Sequence, residues 1–208
     1  MRLLGMDEAG RGCVLGPLVV GAFLLEGDDQ GVLKAAGATD SKVLSAKKRA
    51  EVRARLVDLG VSDLERVSAR QIDAANINDL ELEAFAQLIA RHRPDRVLMD
   101  APCHPRAIPN FLAKLFRRVA ELGVAAPEIV AEPKADLTYP VVGAASIFAK
   151  LERDAAIAGL GPVGSGYPSD PKTRQWLAGF IARGEPFPAC VRTRWGTIRK
   201  LQQSALLP

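Results

Sequence analysis

The chain has 208 residues, 48% of them apolar and 25% charged, with a formal net charge of only +4. That is long enough for one sizeable core, and the balance is ordinary for a soluble globular protein. The longest apolar stretch, Val14 to Leu25, is too short to cross a membrane. No signal-peptide pattern is evident, and Cys13, Cys103 and Cys190 are scattered without CxxC spacing. These features speak against disulfides and a zinc site, and predict a cytoplasmic protein with no membrane partner.

In chain order, "RLLGM" reads as a strand ending at Asp7. "CVLGPLVVGAFLLEG" reads as a second strand, apolar on both faces and therefore central. Ser45 is a candidate N-cap for a helix with Val52, Leu56 and Leu59 on one stripe and Gly60 as its stop. "LERVS" is a candidate third strand, and Leu82, Phe85 and Ile89 mark another helix. "RVLMD" is a strand ending on Asp100; Ile108 to Leu122 recur at helical spacing; "EIVA" is a fifth strand. A helix rich in Val, Ala and Gly then runs from about Tyr139 to Ala158. Beyond "GPVGSGYPSDP", Asp170 as N-cap and Pro171 as first residue start a helix that Gly184 ends. Alternating strands and helices predict an α/β sheet domain over residues 1–163, followed by a C-terminal helical subdomain over 164–208 in the same structural unit.

Charge is unevenly distributed. After Glu185 there is no acid, while Arg192, Arg194, Arg199 and Lys200 follow. Such a tail can approach a polyanion, or form a solvated terminal helix.

The acids at strand ends carry the chemistry. Asp7 and Glu8 end the first strand, Asp100 ends "RVLMD", and Asp136 follows the fifth strand in "EPKADLTYP". Loops leave an α/β sheet at its mouth, where such acids converge. Four clustered carboxylates need a compensating charge, and an oxygen-rich set suits Mg²⁺ or Mn²⁺. A pair of such ions performs in-line displacement at phosphorus. His92 and His104 match no catalytic spacing, no serine sits in a nucleophile elbow, and "GRGCVLG" fails the dinucleotide fingerprint at Leu15.

"GMDEAGRG", "TDSK" at 39–42, "LMDAP" at 98–102, "KADLTYPVVGAASIFAKLERD" at 134–154 and "GSGYPSDP" at 164–171 occur in this order. Together they resemble type 2 ribonuclease H (ribonuclease HII), closest to the archaeal and eukaryotic branch. The resemblance spans Leu3 to about Leu201 and implies a ribonuclease H-like fold: a five-stranded mixed sheet flanked by helices, then a helical C-terminal portion. It implies an endoribonuclease that hydrolyses the RNA strand of RNA–DNA hybrids and cleaves 5′ of ribonucleotides embedded in duplex DNA, leaving 3′-hydroxyl and 5′-phosphate. Two divalent ions, Mg²⁺ or Mn²⁺, would be held by Asp7, Glu8, Asp100 and Asp136, with Asp154 a rival for the fourth place. Gly10, Arg11 and Gly12 would meet the minor groove at the ribonucleotide, where glycine permits close backbone approach. Tyr167 would contact the ribonucleotide 2′-hydroxyl and pack on the neighbouring deoxyribose; Ser41 and Lys42 would contact phosphate. The expected partner is nucleic acid, bound by a monomer.

The chain departs from the family pattern twice. Cys13 stands where relatives commonly have proline, and the end "KLQQSALLP" lacks the aromatic pair of a clamp-binding peptide, which leaves sliding-clamp binding doubtful. Two rival readings remain: a ribonuclease H-fold nuclease with another substrate (a type 3 hybrid nuclease or a junction resolvase), and a non-catalytic hybrid-binding module. An intact carboxylate set argues against plain binding, because acids near phosphates weaken it.

Overall fold

The structure, a computed structural model, describes residues 1–38 and 44–206. Its five strands are β1 (Arg2–Ala9), β2 (Leu18–Glu26), β3 (Val61–Val67), β4 (Arg96–Asp100) and β5 (Glu128–Glu132), in the order β3-β2-β1-β4-β5. β2 runs antiparallel to both β1 and β3, whereas β1, β4 and β5 are parallel. β1 is therefore the middle strand, and its C-terminal acids open where the parallel half of the sheet ends.

Both faces of this sheet are covered. Leu4 and Met6 of β1 pack with Val97 and Met99 of β4 against α4 (Ile77–His92) and α5 (Ile108–Glu121). Leu3 of β1 and Leu98 of β4 pack on the other face with α1 (Gly31–Ala36), α2 (Ala46–Leu56) and α7 (Pro140–Ala158). The alternation follows from the period of two along a strand. α7 lies unusually close: a methyl at Gly5 would stand 2.1 Å from the Val141 carbonyl oxygen, and one at Gly21 would stand 2.6 Å from that of Ala145. The glycines therefore let helix backbone touch strand backbone.

The second strand begins at Leu18, not Cys13, because Gly16 takes φ +79° and Pro17 follows it, ending a tight turn rather than continuing a ladder. β3 starts at Val61, upstream of the predicted "LERVS". Two short helices, α3 (Ala69–Ala74) and α6 (Ala135–Thr138), carry too few residues for a legible periodicity. Ser45 accepts the Lys48 N–H as the N-cap of α2, and Asp170 accepts the Lys172 N–H as the N-cap of α8 (Pro171–Arg183). α8 and α9 (Gly196–Leu206) close a third apolar cluster, in which Leu177, Val191 and Ile198 pack on Val14, Leu15, Ile157 and Val163. The C-terminal part thus rests on the segment just after the N-terminal turn. Among the described residues no helix is long and apolar enough to cross a membrane.

Candidate active site

Register decides which acids meet. Gly5 pairs with Leu98 across the parallel β1–β4 ladder, and both face α7. Two residues further along each strand the same face is reached again, which sets Asp7 and Asp100 side by side. A cleft of about 190 Å³ opens there, lined by Asp7, Glu8, Gly10, Arg11, Gly12, Asp100, Ser146, Lys150 and Tyr167. A larger cavity of about 420 Å³ adjoins it through Arg11 but holds only Asp79 and a buried Glu81 as its acids. The strand-end carboxylates, not the greater volume, mark the chemistry.

Asp7 is 5% exposed. Burial holds its carboxyl well above the usual carboxylate range; the neighbouring charge of Glu8 adds to this and that of Asp100 adds less, against a hydrogen bond from Ser146. Its Oδ1 accepts the Glu8 N–H at 2.7 Å, which fixes the side chain at the mouth. Asp100 is fixed from another element: its Oδ1 accepts the Ala135 N–H at 3.0 Å. A divalent cation would relieve this repulsion, and carboxylate oxygens are the donors hard cations take. Among the described residues no three His, Cys, Asp or Glu side chains converge to cage an ion alone. Mg²⁺ does not require that, since it keeps several waters and uses one or two carboxylates together with substrate phosphate.

The fourth carboxylate is placed differently from the other three. Asp136 lies in the first turn of α6, next to the residue whose amide binds Asp100; it is buried, and its residue borders a depression with Gln30, Lys34 and Pro140. Asp154 is engaged elsewhere: it takes Arg49 Nη2 and Arg153 Nη2, each at 3.0 Å. A carboxylate held between two buried arginines has its charge already matched.

Beyond β1 the chain turns at Gly10, with φ +86°, where an added methyl would lie 2.6 Å from the Pro17 carbonyl oxygen. At Gly12 a methyl would meet only the Tyr167 ring, at 3.8 Å, and no internal clash requires glycine there. Arg11 turns its guanidinium onto Glu81 and Asn78 of α4. Tyr167 packs beneath Arg153, whose guanidinium carbon sits 5.0 Å from the ring centroid, a cation–π contact. The Tyr167 loop is held by Asp170, which accepts the Ser165 N–H at 2.6 Å, and by Arg153 Nη1 on the Ser165 carbonyl at 3.0 Å. Ser41 and Lys42 lie outside the described residues.

Ser146 and Lys150 were not singled out from sequence. The signal was present: in "VVGAASIFAK" they are the only side chains with a polar group, four residues apart and therefore on one helix face. Arg192 reverses its expectation as a solvent-facing cation. It is 0% exposed, and burial lowers its pKa to about 10. Arg194, Arg199 and Lys200 are exposed, as expected. The histidines are structural: His92 Nε2 lies 2.9 Å from Asp63 Oδ2, and His104 Nδ1 accepts the Arg106 N–H at 3.3 Å.

A mixed five-stranded sheet with carboxylates at neighbouring central strand ends defines a ribonuclease H-like nuclease, a hydrolase. The ribonuclease H2 of Pyrococcus horikoshii OT3 superposes at a TM-score of 0.87 with 34% identity and full coverage of both chains. The ribonuclease HII of Archaeoglobus fulgidus, solved in complex with PCNA, superposes at 0.84 with 38% identity, covering 98% of each. Bst-RNase HIII, solved in complex with Mn²⁺, shares the fold at 0.78, with 19% identity, over all of this chain and 71% of its own.

The chain belongs to the ribonuclease HII family, whose model matches residues 4–198. In sequence it is 40% identical to the A. fulgidus ribonuclease HII over 210 residues, covering 97% of each, and 39% identical to that of Aeropyrum pernix, covering 96% of this chain and 89% of that one. Ribonuclease H activity on RNA–DNA hybrids follows from that membership.

Proposed function

We propose that this chain is an endoribonuclease that cleaves 5′ of ribonucleotides, both in hybrids and singly embedded in duplex DNA. The observation that carries this reading is the joining of Asp7, Glu8 and Asp100 to Gly10, Arg11, Gly12 and Tyr167 along one cleft. Acids that can hold cations beside phosphate share a wall with the groups that would read the sugar.

Asp7, Glu8 and Asp100 would hold two divalent ions, Mg²⁺ or Mn²⁺, with Asp136 joining from α6. When bound, such ions align the scissile phosphate, lower the pKa of an attacking water and stabilise the leaving oxygen. No side chain acts as nucleophile: water adds to phosphorus and the bond to the upstream O3′ breaks, giving 3′-hydroxyl and 5′-phosphate. Lys150 brings a positive charge into the cleft where phosphate must lie. Ser146 keeps the buried Asp7 oriented by its hydrogen bond. The Gly10–Gly12 backbone approaches the minor groove, which in a hybrid displays 2′-hydroxyls. Tyr167 sets the register by contacting one 2′-hydroxyl and packing on the next sugar. Ser41 and Lys42 are proposed as phosphate contacts on sequence grounds alone. The free cysteines Cys13, Cys103 and Cys190 suit a reducing compartment.

The decisive assay follows cleavage of a DNA duplex with a single ribonucleotide, and of a long RNA–DNA hybrid, with Mg²⁺, with Mn²⁺ and with chelator. Metal-dependent products ending 5′ of the ribonucleotide are expected. Cleavage of hybrid alone, with the single ribonucleotide ignored, would favour the type 3 reading.

A further inference from the structure

Arg192 is 0% exposed; its guanidinium carbon sits 5.2 Å from the Trp195 ring centroid, and the hydrogen bonds it donates go to backbone carbonyls. Nη2 donates to the Gly10 carbonyl at 2.8 Å and to that of Gly16 at 3.1 Å; Nη1 donates to the Arg11 carbonyl at 2.9 Å; Nε donates to Gly16 at 3.1 Å. Its backbone is stitched to the same turn, since Arg192 N–H reaches Val14 O at 2.9 Å and Gly16 N–H reaches Cys190 O at 2.8 Å. A buried cation with no carboxylate among these contacts is expensive, and an apolar side chain would fill the space at lower cost. What the guanidinium supplies is a fork that gathers three carbonyl oxygens.

Those carbonyls belong to the turn that faces the substrate cleft. No peptide bond among the described residues is cis, so each carbonyl points opposite to the N–H of the residue that follows it. Drawing the Gly10 and Arg11 carbonyls inward onto Arg192 turns the Arg11 and Gly12 N–H groups away from it. Arg11 and Gly12 line the cleft. The same rotation removes two negative dipole ends from a surface that must receive a polyanion.

We propose that Arg192 is a positioning residue for ribonucleotide recognition: from the C-terminal segment it fixes the Gly10–Gly12 turn with donors outward and acceptors inward. This rests on the reading that the turn meets substrate. It makes the C-terminal segment a working part of the recognition surface from behind, through a buried side chain that meets no phosphate.

The test measures kcat and KM of Arg192→Ala, Arg192→Lys and wild type on the single-ribonucleotide duplex and on the long hybrid. Arg192→Ala is expected to fold by circular dichroism and to lose about ten- to a hundred-fold in kcat/KM on the single ribonucleotide, the range a small misplacement produces. The loss on the hybrid should be smaller, because many registers there are equivalent. Free guanidinium at millimolar concentration should restore part of that loss in Arg192→Ala, whereas methylammonium should not. Arg192→Lys keeps the charge without the fork and should fall between. Unchanged kcat/KM in folded Arg192→Ala, or equal losses on both substrates without guanidinium rescue, would overturn the proposal. If Arg192→Ala does not fold, the ratio of the two substrates in Arg192→Lys decides by the same criteria. Wild-type enzyme inactive on both substrates would instead refute the nuclease reading.

Discussion

The carbonyl of Gly166 accepts the N–H of Val14 at 2.8 Å and that of Leu15 at 3.2 Å. These bonds tie the loop bearing Tyr167 to the turn bearing Gly10 and Gly12, segments separated by most of the chain. The ring edge of Tyr167 then stands against Gly12 in the shared cleft.

Tyr167→Ala is expected to impair cleavage of a duplex with one ribonucleotide far more than cleavage of a long hybrid, where another register can serve. Tyr167→Phe keeps the ring on Arg153 and loses one hydrogen bond, worth about 0.5–1.5 kcal/mol net, so it should fall between. Rates for both variants on both substrates, at equal metal and salt, check this. Equal losses would make Tyr167 a packing residue.

Asp100→Asn should fold and bind hybrid yet lose nearly all cleavage. The amide oxygen can still accept the Ala135 N–H, while the charge a cation needs is gone. Asp136→Asn should behave likewise if it joins the set, and Asp154→Asn should keep activity while losing its ion pairs with Arg49 and Arg153. Single-turnover rates of the three variants in saturating Mg²⁺ separate the fourth ligand from its rival.

Asp7→Asn should be inactive and more stable than wild type without metal, because a charge buried beside Glu8 and Asp100 is neutralised. Mg²⁺ should raise the melting temperature of wild type and leave that of Asp7→Asn nearly unchanged. A wild-type melting temperature indifferent to Mg²⁺ and Mn²⁺ would contradict the cation site.

Gly5→Ala should cost on the order of 3 kcal/mol by overpacking, since its methyl would lie 2.1 Å from the Val141 carbonyl oxygen and α7 must move off β1. Urea unfolding measures it. Activity should fall too, because α7 carries Ser146 and Lys150.

Asp170 carries a pH signature. The Ser165 hydroxyl first, then the Ser165 and Lys172 amides, hold its carboxyl below the ordinary value of 3.8. A carboxyl lowered on folding stabilises the loop above its unfolded value, and that contribution is lost as pH falls through the lower folded one. Protection of the Ser165 and Lys172 amides from exchange should therefore persist at pH 5 and fade below about 3.8, the ordinary carboxyl value. In Asp170→Ala it should be weak at both.

Replacing Arg194, Arg199 and Lys200 together by alanine should flatten the salt slope of hybrid binding by no more than about 2.7, if each meets one phosphate. A slope equal to wild type assigns these cations to solvent.

The sequence by itself determined whatever depends on near neighbours. Short continuous apolar runs marked β1 and β4, helical spacing marked α5, a Val-, Ala- and Gly-rich stretch marked α7, and Asp170, Pro171 and Gly184 set the ends of α8, because caps and local patterns act within a few residues. The motifs also named the family, since five blocks in order are themselves a sequence property. Partner choice belonged to the tertiary structure. Strand register, not the motifs, placed Asp7 beside Asp100 on the α7 face. Two arginines claimed Asp154, and folding buried Asp136 in the first turn of α6, beside the residue whose amide holds Asp100. Arg192 shows the limit most clearly: in a run of cations without acids it reads as an exposed charge, facing solvent or a polyanion, but folding buries it against carbonyls 176 to 182 residues away. A charged side chain's role is fixed by which groups compensate its loss of water, and those groups come from chain segments that only the folded molecule brings together.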